Sequence, residues 1–188
     1  MHREPLLRLL EAHRARFPED AARVDTVAAF VRAHADCFER ACLPGHVTGS
    51  AWVVSADRGS VLLTHHRKLD RWLQVGGHAD GDPDPLRVAL REAEEESGLR
   101  VAPFSGPDGV LPLDVDVHEI PPHGAEPAHL HHDVRFLLIA PPGQTLRVSD
   151  ESHDVRWVPR ERLALLVDEA SILRMHARAA RLLDEARR

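Results

Sequence analysis

The sequence predicts an α+β fold, because helical and extended patterns both occur along one chain of 188 residues. Apolar residues recur at helical spacing before residue 41 and again in residues 85–97 and 170–186. Short β-type apolar runs occupy much of the interval between His46 and Val158. The length is sufficient for one domain with a full hydrophobic core and an appendage.

Composition narrows the class of protein. Hydrophobic residues make up 43% of the chain and charged residues 29%, as in an ordinary soluble globule. The formal net charge of −6 argues against a sequence-independent nucleic-acid binder, which needs a basic surface. The N-terminal residues do not predict a signal peptide, and the sequence has no apolar run of bilayer-spanning length. With only Cys37 and Cys42, we expect reduced thiols and a cytoplasmic location.

Residues 5–41 predict two helices that are separated at Phe17–Pro18. The apolar positions of the first helix are Leu6, Leu7, Leu9, Leu10 and Ala12, and those of the second are Val24, Val27, Ala28, Val31, Ala35 and Phe38. These helices either cap the core or form a lid or a dimer surface. We favour the cap, because neither helix carries an obvious chemical constellation.

The strands follow in order. Residues 51–54 and 61–64 predict a hairpin with its turn at residues 57–59, and residues 72–75 predict a strand that runs into a glycine pair. Residues 110–120 alternate between apolar residues and Asp114, Asp116 and His118, which predicts a half-buried strand. A Pro/Gly-rich loop at residues 121–127 is long enough to overhang a site. Further strands at residues 134–140 and 154–158 precede a short helix from Pro159 and a terminal helix anchored by Ile172, Leu173, Met175 and Leu182.

The most informative stretch is residues 76–99, with the sequence GGHADGDPDPLRVALREAEEESGL. Asp84 is a candidate N-cap, Pro85 suits the first helical position, and Gly98 suits the left-handed residue that ends a helix. At about 100° per residue, one side of the helix is apolar and should be buried. Its members are Leu86, Ala89, Leu90 and Ala93.

Glu92, Glu95 and Glu96 share a second side of the same helix. Arg91 precedes Glu95 by four residues and can pair with it. Three neighbouring carboxylates repel one another unless a cation lies among them, and Mg²⁺ or Mn²⁺ prefers such oxygen ligands. The alternative is a solvated acidic face. The preceding Gly-Gly turn and the bounding Arg91 and Gly98 favour a metal site.

This stretch resembles the Nudix box, the signature of hydrolases that cleave nucleoside diphosphates linked to another group. The family pattern is G, five residues, E, seven residues, then R-E-U-x-E-E-x-G-U, where U is aliphatic. Gly77 matches the first glycine, and the second half matches without a gap at Arg91, Glu92, Ala93, Glu95, Glu96, Gly98 and Leu99. Pro83 stands where the family has its isolated glutamate, so that peripheral carboxylate is absent, and Asp80 and Asp82 are the candidates to replace it.

The resemblance implies the Nudix fold, an α/β/α sandwich with a mixed β-sheet between helices. It places the Nudix domain at residues 45–188 and a helical extension at residues 1–44. It also implies hydrolysis of a phosphoanhydride bond in a small-molecule nucleoside diphosphate derivative, with Mg²⁺ or Mn²⁺ as cofactor. Neither a nucleic-acid nor a membrane partner is implied, and a homodimer is possible.

The resemblance also assigns roles. It implies that the metal is held by Glu92, Glu95 and Glu96, with a backbone carbonyl near Gly77. Glu95 is one candidate for the general base, and Glu151, on the loop before the last strand, is its rival. Arg91 would orient a box glutamate.

Three residues near the box are candidates for contacting substrate. Arg67 and Lys68 precede the strand that leads into the glycine pair, so they either contact substrate phosphates or occupy a solvated turn. His78 lies in the box loop. The chain has 14 histidines, and His129, His131 and His132 lie close together. They form a transition-metal site, face the substrate, or are solvent-facing polar positions on a strand end.

Two other function classes remain open. Isopentenyl-diphosphate isomerases share the Nudix fold and similarly have a histidine after a glycine, as at His78. Their catalytic cysteine falls at Gly76 here, so the isomerase acid is absent. A non-catalytic module that senses a nucleotide or metabolite is the other alternative, although such a module has no need for the full carboxylate set.

Overall fold

A computed structural model describes residues 2–122, 124 and 127–187. Residues 123, 125 and 126 of the expected overhanging loop lie outside the described residues. The longer helices are α1 (Glu4–Arg16), α2 (Ala21–Ala33), α3 (Pro85–Ser97) and α4 (Ala170–Glu185). Short 3₁₀ helices occupy Pro18–Asp20 and Arg160–Leu165.

The strands of the described residues form one mixed sheet. They are β1 (Gly45–Val54), β2 (Ser60–His66), β3 (Arg71–Leu73), β4 (Val75–His78), β5 (Ala102–Pro103), β6 (Asp114–Ile120), β7 (His129–Ile139) and β8 (Ser152–Pro159). Strands β1 and β7 are parallel, and the remaining pairs are antiparallel. The order is β3-β2-β1-β7-β5, with β4 paired to β1, β6 to β7 and β8 to β2.

Helices cover both faces of this sheet, which confirms the predicted sandwich. Buried β1 residues alternate between two hydrophobic clusters, as a strand with a core on each face requires. Val53 belongs to the cluster that contains residues of α1, α2 and α3. Trp52 and Val54 belong to the cluster that contains Ile172 and Met175 of α4.

Helices α1 and α2 cap the core, the arrangement that we favoured from the sequence. Leu6 and Leu10 of α1 are at most 1% exposed, and Val27 and Val31 of α2 are fully buried. All four side chains lie in the cluster that also contains residues of β1 and α3. Ala35 differs from the prediction, because α2 ends at Ala33 and leaves this side chain exposed.

Strand β6 also differs from its prediction. It begins at Asp114 rather than Val110, and its first residues are buried on both faces of the sheet. The alternation with valines predicted that Asp114 and Asp116 face solvent. Asp114 is instead fully buried, and Asp116 is half-buried. The cause is a set of arginines from elsewhere in the chain.

These side chains form an arginine–aspartate network. Its members are Arg135 of β7, Arg174 and Arg178 of α4, and the carboxylates of Asp20, Asp114, Asp116 and Asp133. Arg135 is 2% exposed, and its Nε lies 2.7 Å from Asp133 Oδ2. Arg178 Nη1 lies 2.6 Å from Asp20 Oδ2 and 2.9 Å from Asp114 Oδ1. The network therefore ties the N-terminal segment, β6 and α4 together.

No helix in the described part of the chain is both long enough and apolar enough to cross a membrane.

Candidate active site

Helix α3 begins and ends where the sequence predicts. The Asp84 side chain accepts hydrogen bonds from the amides of Leu86 at 3.1 Å and Arg87 at 3.3 Å. Gly98 is left-handed, with a φ of 71°, and ends the helix. The buried side contains Ala89 and Ala93 as expected, with Val88 in addition, whereas Leu86 and Leu90 are only half-buried.

The glycine pair lets strand β4 approach the carboxylates of α3 closely. The Gly76 amide donates a hydrogen bond to Glu96 Oε1 over 2.7 Å. A Cβ atom at Gly77 would lie 2.5 Å from the Glu92 carboxyl carbon, which real contacts do not allow. Glycine is therefore required at position 77 for Glu92 to occupy its place.

Glu96 is a buried carboxyl without a cationic partner among the described contacts. Its residue is 6% exposed, and burial raises its pKa to about 8. The Gly76 hydrogen bond opposes this rise, while the charges of Glu92, Glu151 and Glu95 add to it. Burial also raises the pKa of Glu92, although Arg91 partly offsets the effect. Among the described contacts, therefore, the charged form of Glu96 is disfavoured because no protein cation offsets its burial.

Arg91 connects the carboxylates to the preceding strand. Its Nη2 donates to the His78 carbonyl oxygen and to Glu92 Oε1, each over 2.7 Å. The predicted pair with Glu95 exists at 3.9 Å, longer than the Glu92 contact. Arg91 therefore holds Glu92 and β4 in a fixed relation.

The two candidates for the general base are both exposed. The Glu95 side chain is 62% exposed. Glu151 lies on the turn before β8, and its charge raises the pKa of both Glu92 and Glu96. Its carboxylate is therefore within electrostatic reach of the box, although the chain between β7 and β8 separates them in sequence.

The box loop is fixed by two arginines. Arg40 donates to both carboxylate oxygens of Asp80, at 2.5 and 2.8 Å. Arg87 donates to both oxygens of Asp82. The two aspartates proposed as substitutes for the missing glutamate at Pro83 are therefore already engaged in ion pairs.

The predicted phosphate contacts lie on the turn after β2. Arg67 Nη2 donates to the Ser152 carbonyl oxygen over 3.1 Å, and the Arg67 amide donates to the Glu151 carbonyl oxygen over 2.9 Å. Lys68 is exposed on the same turn. Among the described contacts, the structure joins Arg67 to the backbone at Glu151 but does not pair either cation with a box carboxylate.

His78 faces a group of imidazoles rather than the carboxylates. Its ring centroid lies 5.0 Å from those of both His46 and His131. Burial lowers the pKa of His78 to about 4. His129 and His131 share one side of β7, whereas His132 lies on the other side and stacks on Phe30 at 3.8 Å.

Two residues at the site escaped sequence analysis. Arg40 carries a positive charge near Asp80, Glu92 and Glu151, and it comes from the segment that precedes β1. His46 opens β1 and pairs in register with His131 of β7. Only the polar character of position 46 at the start of an apolar strand could have indicated it, since strand register is not encoded locally.

The donor set suits a hard divalent cation. Glu92, Glu95 and Glu96 offer carboxylate oxygens on one side of α3, and such oxygens are the ligands that Mg²⁺ and Mn²⁺ prefer. The uncompensated burial of Glu96 fits a group that is completed by a cation. The Gly77 carbonyl as a further ligand stays a prediction.

Comparison with known proteins identifies the family and the fold. A family model described as the NUDIX domain matches residues 45–183. A Nudix-family hydrolase from Clostridium perfringens is 22% identical, with a TM-score of 0.57 over 71% of this chain and 95% of that one. A C. elegans Ap4A hydrolase in a binary complex is 14% identical, with a TM-score of 0.57 over 74% and 98% of the two chains.

A third similar structure is the NUDIX domain of Shewanella oneidensis NrtR complexed with ADP ribose. It is 18% identical, with a TM-score of 0.51 over 73% of this chain and 87% of that one. At these identities the solved structures show a common fold. The family model, in contrast, spans most of the chain and includes the whole of α3. The chain belongs to the Nudix hydrolase family.

Proposed function

We propose that this protein is a metal-dependent hydrolase of a phosphoanhydride bond in a nucleoside diphosphate-linked substrate. The observation that carries the proposal is the placement of Glu92 and Glu96 against the glycine pair. Glu96 is bound by the Gly76 amide at 2.7 Å, and Glu92 fills the space that a side chain at Gly77 would need. A buried carboxylate pair of this kind is costly unless a ligand completes it.

Mg²⁺ or Mn²⁺ is the cofactor that we propose, held by Glu92, Glu95 and Glu96. When bound, such an ion neutralises the diphosphate and lowers the pKa of a coordinated water. The rigid helix and the Gly76 hydrogen bond fix the Glu96 carboxylate before substrate arrives. Arg91 contributes by orienting Glu92 through the 2.7 Å contact.

Glu95 or Glu151 is the general base of the proposed reaction. In the proposed reaction a water oxygen forms a bond to phosphorus, the bridging P–O bond breaks, and a carboxylate accepts the water proton. Glu95 is the first candidate, because it lies on the side of α3 that carries Glu92 and Glu96. Glu151 is its rival, since its charge reaches both of these groups.

The substrate class rests on charge and on similar proteins. Two similar structures are an Ap4A hydrolase and a NUDIX domain complexed with ADP ribose, and both of these compounds are nucleotide derivatives with linked phosphates. Arg67 and Lys68 offer positive charge on the turn that adjoins Glu151, and we propose that they contact substrate phosphates. His78 is the third proposed substrate contact. The buried free thiols of Cys37 and Cys42 are consistent with a cytoplasmic protein.

The isomerase alternative has less support. A Cβ atom at Gly76 would collide with the Ser50 side chain and lie 2.7 Å from the Ser50 Cα. The position where the isomerase has its cysteine is therefore closed to a side chain in this packing. A nucleotide-sensing module remains the alternative that the experiment must separate from the hydrolase.

The test is release of phosphate or nucleotide across a panel of nucleoside triphosphates, ADP-ribose, dinucleoside polyphosphates and coenzyme diphosphates. Wild type is compared with Glu95→Gln and Glu96→Gln, each with Mg²⁺, with Mn²⁺ and with EDTA. We expect metal-dependent turnover that falls by about 10³-fold in Glu96→Gln, which is about 4 kcal/mol of lost transition-state stabilisation. Glu151→Gln then decides between the two candidate bases.

Asp82→Asn is a matched control, because it also removes one carboxylate charge near the box but breaks only the ion pair with Arg87. It should keep most of the wild-type turnover. Tight ligand binding without turnover of any panel member would instead identify a sensing module.

A further inference from the structure

A second group of potential ligands lies at the start of the parallel strands β1 and β7. It is a histidine cluster formed by the rings of His46, His129 and His131, and its ring centroids are separated by 4.9 to 5.3 Å. One ring nitrogen from each histidine lies within 4.8 Å of the other two. His78 borders the cluster, 5.0 Å from two of its rings.

Strand geometry explains how these residues meet. His46 and His131 are register partners on the parallel strands β1 and β7. His129 shares a side of β7 with His131, because side chains alternate along a strand. Gly49 packs against α3 and lies on the side of β1 opposite to His46. The cluster therefore lies on the sheet face away from α3.

The hydrogen bonding of His129 leaves one nitrogen for a ligand. Its Nδ1 lies 2.9 Å from the Pro127 carbonyl oxygen, and since a carbonyl only accepts, Nδ1 carries the proton. Its Nε2 therefore presents a lone pair. That atom is buried without a hydrogen-bond partner among the described residues, in a side chain that is 9% exposed.

His131 repeats this feature. Its Nε2 is also buried and has no hydrogen-bond partner in the described part of the structure. Buried polar atoms are normally satisfied, so two unsatisfied imidazole nitrogens within one cluster of histidines indicate that a ligand is missing there.

We propose that His46, His129 and His131 form a second metal site, which binds a divalent transition-metal ion such as Zn²⁺ and is distinct from the carboxylate site. Imidazole nitrogen suits Zn²⁺, whereas Mg²⁺ selects oxygen. Zinc–nitrogen bonds of about 2.0–2.1 Å bring tetrahedral ligand atoms to about 3.3 Å, so small ring rotations close the observed spacing. The Pro127 carbonyl acts as the outer partner that holds a metal-bound imidazole in orientation.

Three histidines leave coordination positions open. His78 borders the cluster from β4, and its carbonyl oxygen accepts the hydrogen bond from Arg91. The inference concerns metal binding alone and does not depend on the proposed hydrolysis.

The test is a Zn²⁺ titration of the full chain, stripped with EDTA, against a chromophoric zinc chelator in excess Mg²⁺. Wild type should bind one Zn²⁺ per chain. His129→Gln and His131→Gln should each weaken binding by more than about 100-fold, beyond the loss expected for an outer-shell partner. Glu96→Gln should leave Zn²⁺ affinity unchanged, since the carboxylate site is separate.

His34→Gln is the matched control, because His34, Asp36 and Cys42 form the other group of donor atoms within 4.8 Å of one another. It should bind Zn²⁺ as wild type does. Thermal unfolding with and without Zn²⁺ provides a second readout, and only proteins with an intact cluster should be stabilised. No Zn²⁺ binding by wild type, or binding that is lost in His34→Gln and retained in both cluster variants, would overturn the proposal.

Discussion

Two buried polar regions of this protein are built in opposite ways. In the arginine–aspartate network, arginines of β7 and α4 contact every carboxylate. Burial opposes ionisation there, but His13 and Arg178 hold the pKa of Asp20 well below its usual range, and His118, Arg135 and Arg174 do the same for Asp116. At the box, burial prevails, and the pKa of Glu96 rises to about 8. Charge that serves the fold is neutralised within the chain, whereas charge that we assign to function is left for a ligand.

The difference does not lie in residue type, since both regions consist of carboxylates and arginines. It lies in how many cations reach the buried oxygens. Asp114 is contacted by Arg135, Arg174 and Arg178. At the box, Arg91 contacts Glu92 at 2.7 Å, whereas Glu96 accepts a hydrogen bond from the backbone amide of Gly76.

The largest expected effect comes from breaking the network. Arg178→Met removes the cation that bonds to Asp20 and Asp114, and it leaves both carboxylates buried with fewer partners. We expect the free energy of unfolding to fall by about 3–5 kcal/mol, measured by urea denaturation. Arg181 on the same helix is exposed and lies 5.6 Å from the Phe17 ring centroid, so Arg181→Met should change stability by at most about 1 kcal/mol. Equal effects of the two variants would remove the distinction between network and surface arginines.

The second prediction uses the opposite response of Glu96 to pH. Its folded pKa of about 8 exceeds its ordinary value of 4.5, so between these pH values the native state binds the extra proton. The stability of the metal-free wild type should therefore fall as pH rises through this window. Glu96→Gln should remove that dependence and exceed wild type at pH 8 by on the order of 2 kcal/mol.

Denaturation of both proteins at pH 5 and pH 8 in EDTA checks this. The stability contributed by the network should depend on pH in the opposite direction. Because the pKa of Asp20 is lowered in the native state, ionised Asp20 stabilises that state above pH 3.8, and this stability is lost as the pH falls below that value. If the free energy of unfolding of Glu96→Gln and of wild type changed equally between pH 5 and pH 8, the Glu96 carboxyl would have a partner that offsets its burial.

The smallest effect should come from an exposed ion pair near the box. Arg87 bonds to both oxygens of Asp82, but its side chain is 63% exposed. Arg87→Met should leave the free energy of unfolding close to that of wild type, because solvent screens exposed pairs. A loss as large as that of Arg178→Met in urea denaturation would show that burial does not separate the two pairs.

The sequence predicted local structure well, since the signals for it are local. Asp84 and Gly98 mark the ends of α3 through capping chemistry that depends on a few neighbouring residues. The side of α3 that carries Glu92 and Glu96 also follows from helix geometry. The family pattern added the sandwich fold.

Features that depend on distant strands could not be predicted in this way. The pairing of His46 with His131 depends on the register of two parallel strands that are far apart in sequence. Asp114 and Asp116 alternate with valines as exposed residues do, and only the arrival of Arg135 and Arg174 explains their burial. Arg40 reaches the box loop from a segment that carries no motif.

The central claim is that the carboxylates of α3 are completed by a divalent cation. Its most direct test is a Mn²⁺ titration followed by the electron paramagnetic resonance signal of the free ion, with wild type, Glu96→Gln, Arg87→Met and His131→Gln. The account predicts that wild type, Arg87→Met and His131→Gln remove Mn²⁺ from solution alike, and that Glu96→Gln binds at least about tenfold more weakly. Equal Mn²⁺ binding by wild type and Glu96→Gln would contradict it.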